Sequence, residues 1–472
     1  MLLHDQIKKL EEQFKKDTAA TYFISKYYFS VYSNQFRIDL GLLPEQEITL
    51  PLQKKLQAQN LTSLFHEYVH YIHEISTVIG NIGLSLDLIL KSIFSNHFST
   101  YLDNCEYNGF DLSNKGLLDK FSKIFATKEV ITGGGVIEGT LLKVNSHYCK
   151  QQDIYLADGI DLLNIKIEVP IVSINTFLDG KYKDVELPFG KFYIYEGLAY
   201  ELDRIIHQQV TGLTEIKDEL KSSEYTMLRS IAKYIYPDID KECFLSVASL
   251  SLSYLDCGSV FISFIERVKT EIDAGIKKDD VLLKLKSETS AILFSKLTDF
   301  NEAQDEIVEI FKKRKQLYSA FSTITNQAKA GYLLRCESPT FEVDYIVKGE
   351  YLKLPDLIPV CDYMYIFRDA EEYMRDFLGS ASFTDEQSQA LKILIAYDHF
   401  QKAHWLKSTK EIEKIEKSKC PFFSCCNLSY RKTHEKICAE KPWRIFEVSF
   451  NSDKQYCWYG QAVGEFKGPN EL

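Results

Sequence analysis

Between residues 52 and 79 apolar side chains recur at helical spacing, with Leu56, Leu61, Leu64, Phe65 and Val69 forming one face of an amphipathic helix. Residues 3–17 and 84–102 carry similar patterns, whereas 20–39, aromatic and β-prone, read as strand. The character changes over 128–190. There "EVITGGGVIEGTLLKV", "IKIEVPIVSI" and "KYKDVELPFGKFYI" are rich in β-branched residues and glycine, as expected of strands joined by turns. From 196 the pattern is helical to about 330. A mixed segment, a long charged helix over 385–417 and a short tail follow, with no internal repeat. The pattern predicts a mainly α protein with a strand-rich insert, hence α+β. Its soft divisions are a core at 1–215 containing the insert 128–190, a helical region at 216–417 and a Cys-rich tail at 418–472.

Composition narrows the class. The chain has 472 residues, 45% hydrophobic, with 29 tyrosines and 30 phenylalanines, so packing material is abundant. Its 56 Lys and Arg against 67 Asp and Glu give a net charge of -11, which disfavours a nucleic-acid surface. The N-terminal segment alternates charges and has no apolar stretch of the export type. Eleven cysteines, an odd number, then point to reduced thiols in a cytoplasm. The run "FLSVASLSLSYLDCGSVFISFI" (244–265) is long enough to cross a membrane but carries Asp256, Gly258 and several serines, and reads as one or two buried helices.

The densest chemistry is "FHEYVHYIHE" (65–74), inside the first amphipathic pattern. His66 and His70, four residues apart, share a helical face about 6 Å apart along the axis, so both imidazoles can reach one Zn²⁺. Glu67 points to the side, placed to act as a base on water and not as a ligand. Glu74 lies about 12 Å along the helix from His66, with His73 slightly closer, which gives both a supporting role. A third ligand must come from another element.

The leading candidate is Glu196 in "FGKFYIYEGLAYELDRII", where a strand-like run gives way to a helix and the carboxylate falls in its first turn. Glu138 in "GVIEGTLL", then His147, Glu201 and Asp203, are rivals. The stretches 61–80 and 188–207 resemble the gluzincin branch of the zincin metallopeptidases, which pairs HExxH with a downstream E-G-x-A or E-x-x-x-D helix. The resemblance implies His66, His70 and Glu196 as ligands of a catalytic Zn²⁺, with Glu67 as general base. It also implies "VELPFGKFY" near the cleft as an edge strand for an extended peptide. The interval from His70 to Glu196 is longer than is usual in that branch, so the strand-rich segment must loop out between them. No G-x-M-E-N segment is present, which argues against an exopeptidase. Ser76 occupies the position where the metzincin branch needs a histidine or aspartate.

Asp203 is placed to orient a ligand imidazole or to pair with Arg204 or Lys217. Tyr193, Tyr195, Tyr200 and His207 flank the same helix and are candidates for stabilising an oxyanion. In the tail, Cys420, Cys425 or Cys426, His434 and Cys438 form a candidate structural zinc set. The expected protein is a cytoplasmic zinc endopeptidase with a zincin-like core, acting on one or a few protein substrates, with regulatory or defence roles and an activating partner in view. The competing expectations are a partner-binding helical module with a structural or vestigial metal, and a zinc hydrolase of a non-peptide amide.

Overall fold

The computed structural model describes residues 58–98, 115–135, 137, 140–158, 161–178, 180–212, 223–358, 384–405, 419–423, 426, 432–445 and 457–467, together with the strand backbones at 20–23, 28–31, 363–368 and 372–377. The protein is mainly helical with two small sheets. In chain order the elements are β1 (Ala20–Phe23), β2 (Tyr28–Val31), α1 (Ala58–Ser76), α2 (Val78–Phe98), α3 (Lys115–Thr132), β3 (Thr140–Asp158), β4 (Asp161–Leu178), β5 (Lys181–Pro188), α4 (Lys191–Thr211), α5 (Ser223–Ile235), α6 (Lys241–Ser251), α7 (Cys257–Asp273), α8 (Lys278–Ser295), α9 (Leu297–Glu309), α10 (Lys315–Glu337) and α11 (Phe341–Val347). Then come β6 (Tyr363–Arg368), β7 (Glu372–Phe377), α12 (Asp385–Trp405), α13 (Glu435–Glu440) and α14 (Trp458–Lys467).

One sheet joins strands distant in sequence, in the order β1-β2-β6-β7, with β2 and β6 parallel. The other is the antiparallel meander β3-β4-β5. A single connected apolar core runs from Phe65 to Val463, taking in residues on either side of 215 and of 418. The expected helix at 3–17 lies outside the described residues, as do the side chains of Leu56, Leu61 and Leu64.

Three element boundaries differ from expectation. The patterns at 52–79 and 84–102 become α1 and α2, separated only by Thr77. Ser76 Oγ donates to the Ile72 carbonyl at 2.6 Å and Thr77 Oγ1 to that of His73 at 2.6 Å, while Gly80 N–H donates to Thr77 Oγ1 at 3.1 Å. These back-bonds end one helix and start the next. Residues 128–132, expected as strand, complete α3, because Phe121, Ile124, Phe125 and Ile131 bury at helical spacing.

The stretch "KFYI" is also helix. β5 stops at Pro188, Gly190 is extended, and α4 begins at Lys191. Tyr193 and Ile194 are fully buried, so tertiary burial overrides the β preference of this stretch. Glu196 consequently sits in the second turn of α4. A Cβ on Gly190 would lie 3.0 Å from the Ile131 carbonyl oxygen and 3.1 Å from Gly133 Cα. A side chain there would push the two segments apart by a few tenths of an ångström.

Residues 244–265 form α6 and α7 and the turn between them, buried in the core. A different helix, Val78–Asn96, is long and apolar enough to cross a membrane, and 67% of that stretch is buried within the fold.

Candidate metal centre

α1 and α4 pack side by side, and their contact face carries the motif residues. On α1, Tyr71, Ile72 and Ile75 are fully buried, anchoring the helix so that His66 and His70 are presented together. His66 Nε2 and His70 Nε2 lie 3.1 Å apart. Glu196 Oε2 is 3.4 Å from the first and 3.6 Å from the second. The three atoms form one closed triangle, a group able to hold a metal ion.

Its size can be compared with chemistry. Zinc bonds of about 2.0–2.1 Å in a tetrahedron place neighbouring donors about 3.3–3.4 Å apart. The observed sides bracket that value. Asp203 Oδ2 stands 3.1 Å from His66 Nδ1. With Nδ1–H donated to Asp203, His66 directs the lone pair of Nε2 at the lone pairs of His70 and Glu196. Protons on the imidazoles satisfy these contacts in the metal-free protein, and once they leave, the three lone pairs converge on one point, so the donor set fits a divalent metal.

The electrostatics agree. Burial alone would lower the His66 pKa, but hydrogen bonds to Asp203 and Glu196 outweigh it and raise the imidazole well above its ordinary value. Burial likewise works against the Glu196 carboxylate, yet His70 and His66 hold it far below the usual range. The pocket already behaves as a place for positive charge beside a carboxylate.

Glu67 is 9% exposed and lies close enough to act electrostatically on His66 and on Tyr225. Tyr225, on α5, sets its ring edge-on to His66 at 5.9 Å. Burial raises its phenol far above the normal value, and Glu196, Glu224, Glu67 and Asp203 add to the effect, so the hydroxyl stays a donor. Nothing around Tyr225 in the sequence singles it out among 29 tyrosines. Only the packing of α5 against α4 brings it to the site.

The other tyrosines on α4 have different work. Tyr195 stacks beneath His70 at 6.1 Å, takes Lys191 on its face at 4.5 Å and meets Thr77 Oγ1 at 3.2 Å through its hydroxyl. Tyr193 donates to the Gly135 carbonyl at 2.8 Å. Tyr200 packs against Tyr225 at 5.1 Å, with Arg204 over its ring. His207, one turn beyond Asp203, lends it positive potential. The hydroxyls of Tyr193 and Tyr195 are therefore engaged with Gly135 and Thr77, while Tyr225, which the sequence did not single out, sets its ring against His66.

The rival ligands are occupied elsewhere. Glu201 pairs with Arg229, and His147 faces Glu266 at 3.9 Å and the Tyr234 ring. Asp203 reaches His66 and not the triangle's open centre, and Glu138 lies outside the described residues. His73 and Glu74 turn away. His73 Nε2 is 3.2 Å from Glu342 Oε1, and Lys191 Nζ is 3.2 Å from Glu74 Oε2. Comparison with family models, with curated proteins and with solved structures finds no match to this chain.

Proposed function

We propose that the chain is a zinc metallopeptidase with a zincin-like core of the gluzincin kind. In this reading His66, His70 and Glu196 hold the metal, Glu67 is the general base and Tyr225 donates to the developing oxyanion. The observation that carries it is the triangle of donor atoms with sides of 3.1, 3.4 and 3.6 Å, backed by Asp203 behind His66.

Zinc held by these groups would supply Lewis acidity, polarising a scissile carbonyl and making water a stronger acid. The chain's own residues do the rest. Glu67 accepts a proton from the attacking water and passes it to the leaving amine. Tyr225, kept protonated by its surroundings, donates a hydrogen bond to the oxygen on which negative charge develops. Asp203 fixes the tautomer and ring plane of His66. The reading is of an endopeptidase acting on one or a few cytoplasmic protein substrates.

The test compares wild type with Glu67→Gln by zinc analysis and by profiling new N-termini in a cell extract. Both proteins should carry the same zinc, with cleavage by the variant reduced at least about 10²-fold. His70→Ala should lose one zinc per chain. Indistinguishable N-terminal profiles from wild type and Glu67→Gln would reduce the protein to a binding module.

A further inference from the structure

Among the described residues no other three ligating side chains converge as His66, His70 and Glu196 do, Cys420, Cys426, His434 and Cys438 of the tail included, and Cys425 lies outside them. A second polar contact instead joins the two helices that build the triangle. Glu74 follows His70 by one helical turn, as His70 follows His66, so α1 presents His66, His70 and Glu74 along one side. Lys191 opens α4 one turn before Tyr195, the neighbour of Glu196. Asp203 meets His66 at one end of the triangle, and Lys191 meets Glu74 at the other, its Nζ 3.2 Å from Glu74 Oε2. The two helices are thus pinned on either side of the donor atoms.

Lys191 has a closely specified place. Its ammonium lies over the face of Tyr195, 4.5 Å from the ring centre, while the same ring stacks on His70 at 6.1 Å with an interplanar angle of 21°. The Tyr195 hydroxyl meets Thr77 Oγ1 at 3.2 Å, at the single residue between α1 and α2. A Cβ on Gly83 of α2 would stand 3.4 Å from Lys191 Nζ and 3.5 Å from Glu74 Oε1, so the backbone of a third helix closes against the pair. Glu74 is fully buried, and the Lys191 side chain is only 12% exposed. Burial pushes the Glu74 carboxyl above its ordinary value, and Lys191 is the foremost group holding it down.

A carboxylate cut off from water is tolerable only while its counter-ion stays within reach. Sliding α4 along α1 by one turn, about 5.4 Å, would strand Glu74, so the pair admits one register of the two helices. That register is the one in which Glu196 Oε2 lies 3.4 Å and 3.6 Å from the two imidazole nitrogens.

We propose, on the reading of His66, His70 and Glu196 as zinc ligands, that Lys191 is a positioning residue for the metal centre: clasped between Glu74 and Tyr195, it locks α4 against α1 and holds Glu196 within reach of the ion. Lys191 itself stands outside the donor triangle and acts through Tyr195 and Glu196.

Zinc affinity, measured on the full chain by chelator competition, tests this in Lys191→Met, which keeps the side-chain stem and removes the charge, and in the nearly isosteric Glu74→Gln. Each should bind zinc about 10–100-fold more weakly than wild type, the usual effect of losing a group that orients a ligand. Lys128→Met, which breaks the neighbouring pair with Asp87 between α3 and α2, should leave the affinity unchanged. Cobalt in place of zinc reports the route of the effect. The visible spectrum of cobalt-loaded Lys191→Met should move toward that of Glu196→Ala, as the carboxylate leaves the coordination sphere, a change that general loosening of the fold would not reproduce. Should Lys191→Met fail to fold, Glu74→Gln gives the same two readouts. Wild-type protein that takes up no zinc would bring down the metal centre and this role together. Zinc bound by wild type but with unchanged affinity in Lys191→Met or Glu74→Gln, equal weakening in Lys128→Met, or a cobalt spectrum unaltered from wild type would overturn the positioning role alone.

Discussion

A histidine whose Nδ1 proton is held by a carboxylate can offer a metal only its Nε2, and this single contact between Asp203 and His66 decides what the other side chains can do. His66 and His70 are legible as neighbours in the sequence, since an interval of four residues fixes both to one helical face whatever surrounds them. Glu196 is legible through the E-G-x-A resemblance, not through any local rule, because its distance from α1 depends on how α4 packs. Tyr225 is not legible at all. Its hydroxyl carries the clearest prediction at this scale. Tyr225→Phe keeps the ring that packs on Tyr200 and edges His66 but removes the donor. The rate of peptide cleavage should fall about 10²–10³-fold with KM nearly unchanged and zinc content unaltered, as for loss of one oxyanion donor. Steady-state kinetics on any cleaved peptide decide it, and a variant with wild-type kcat would remove Tyr225 from the reaction.

Helix α5 reaches the site because of a missing side chain on α4. A Cβ on Gly197 would stand 2.5 Å from Leu228 Cβ and 3.0 Å from Leu228 Cδ2, and Leu228 is fully buried. The glycine beside Glu196 thus sets the distance between α4 and α5, and with it the height of Tyr225 over His66. Gly197→Ala should cost about 1–3 kcal/mol of stability, the range for overpacking a close contact, although alanine is the better helix former. It should also lower the cleavage rate by lifting Tyr225 while leaving zinc in place. Unfolding curves and kinetics of the same variant check both parts, and unchanged stability would mean that the two helices are not in contact here. Element boundaries were the least legible feature for a related reason. The β-prone "KFYI" is helical because Tyr193 and Ile194 find burial on α4, and α1 stops where Ser76 and Thr77 turn their hydroxyls back on the chain. Periodicity gives the existence of an element, while its ends are set by partners distant in sequence.

At the scale of the molecule, α1 is fastened from behind by charges that no solvent reaches. His73, Arg335 and Glu342 are all fully buried. Arg335 Nη1 donates to Glu342 Oε1 at 3.0 Å, to Ser249 Oγ at 2.9 Å and to the Pro339 carbonyl at 2.7 Å, while Nη2 donates to Ser76 Oγ at 2.8 Å. Ser249 Oγ in turn donates to Glu342 at 2.6 Å. The network unites α1, α6, α10 and α11, and it contributes a pH dependence to the stability of the fold. Burial lowers His73 to about 4 despite the pull of Glu342, so the folded state holds it neutral where the unfolded chain, near 6.5, would be charged. Below pH 6.5 the unfolded state therefore binds the extra proton, and stability is lost progressively until pH falls to about 4. Glu342, held down to about 2 by Arg335, His73 and Ser249 against the cost of its burial, adds a second loss between about 4.5 and 2. The raised pKa of His66 acts in the opposite sense in metal-free protein, favouring the folded state as pH drops, so the comparison must cancel it. Urea unfolding of wild type and His73→Gln, both with chelator present, does so. The difference in stability between the two should change by up to about 3 kcal/mol from pH 7 to pH 4, with wild type losing more. Parallel curves across that window would show that His73 is not held neutral behind α1.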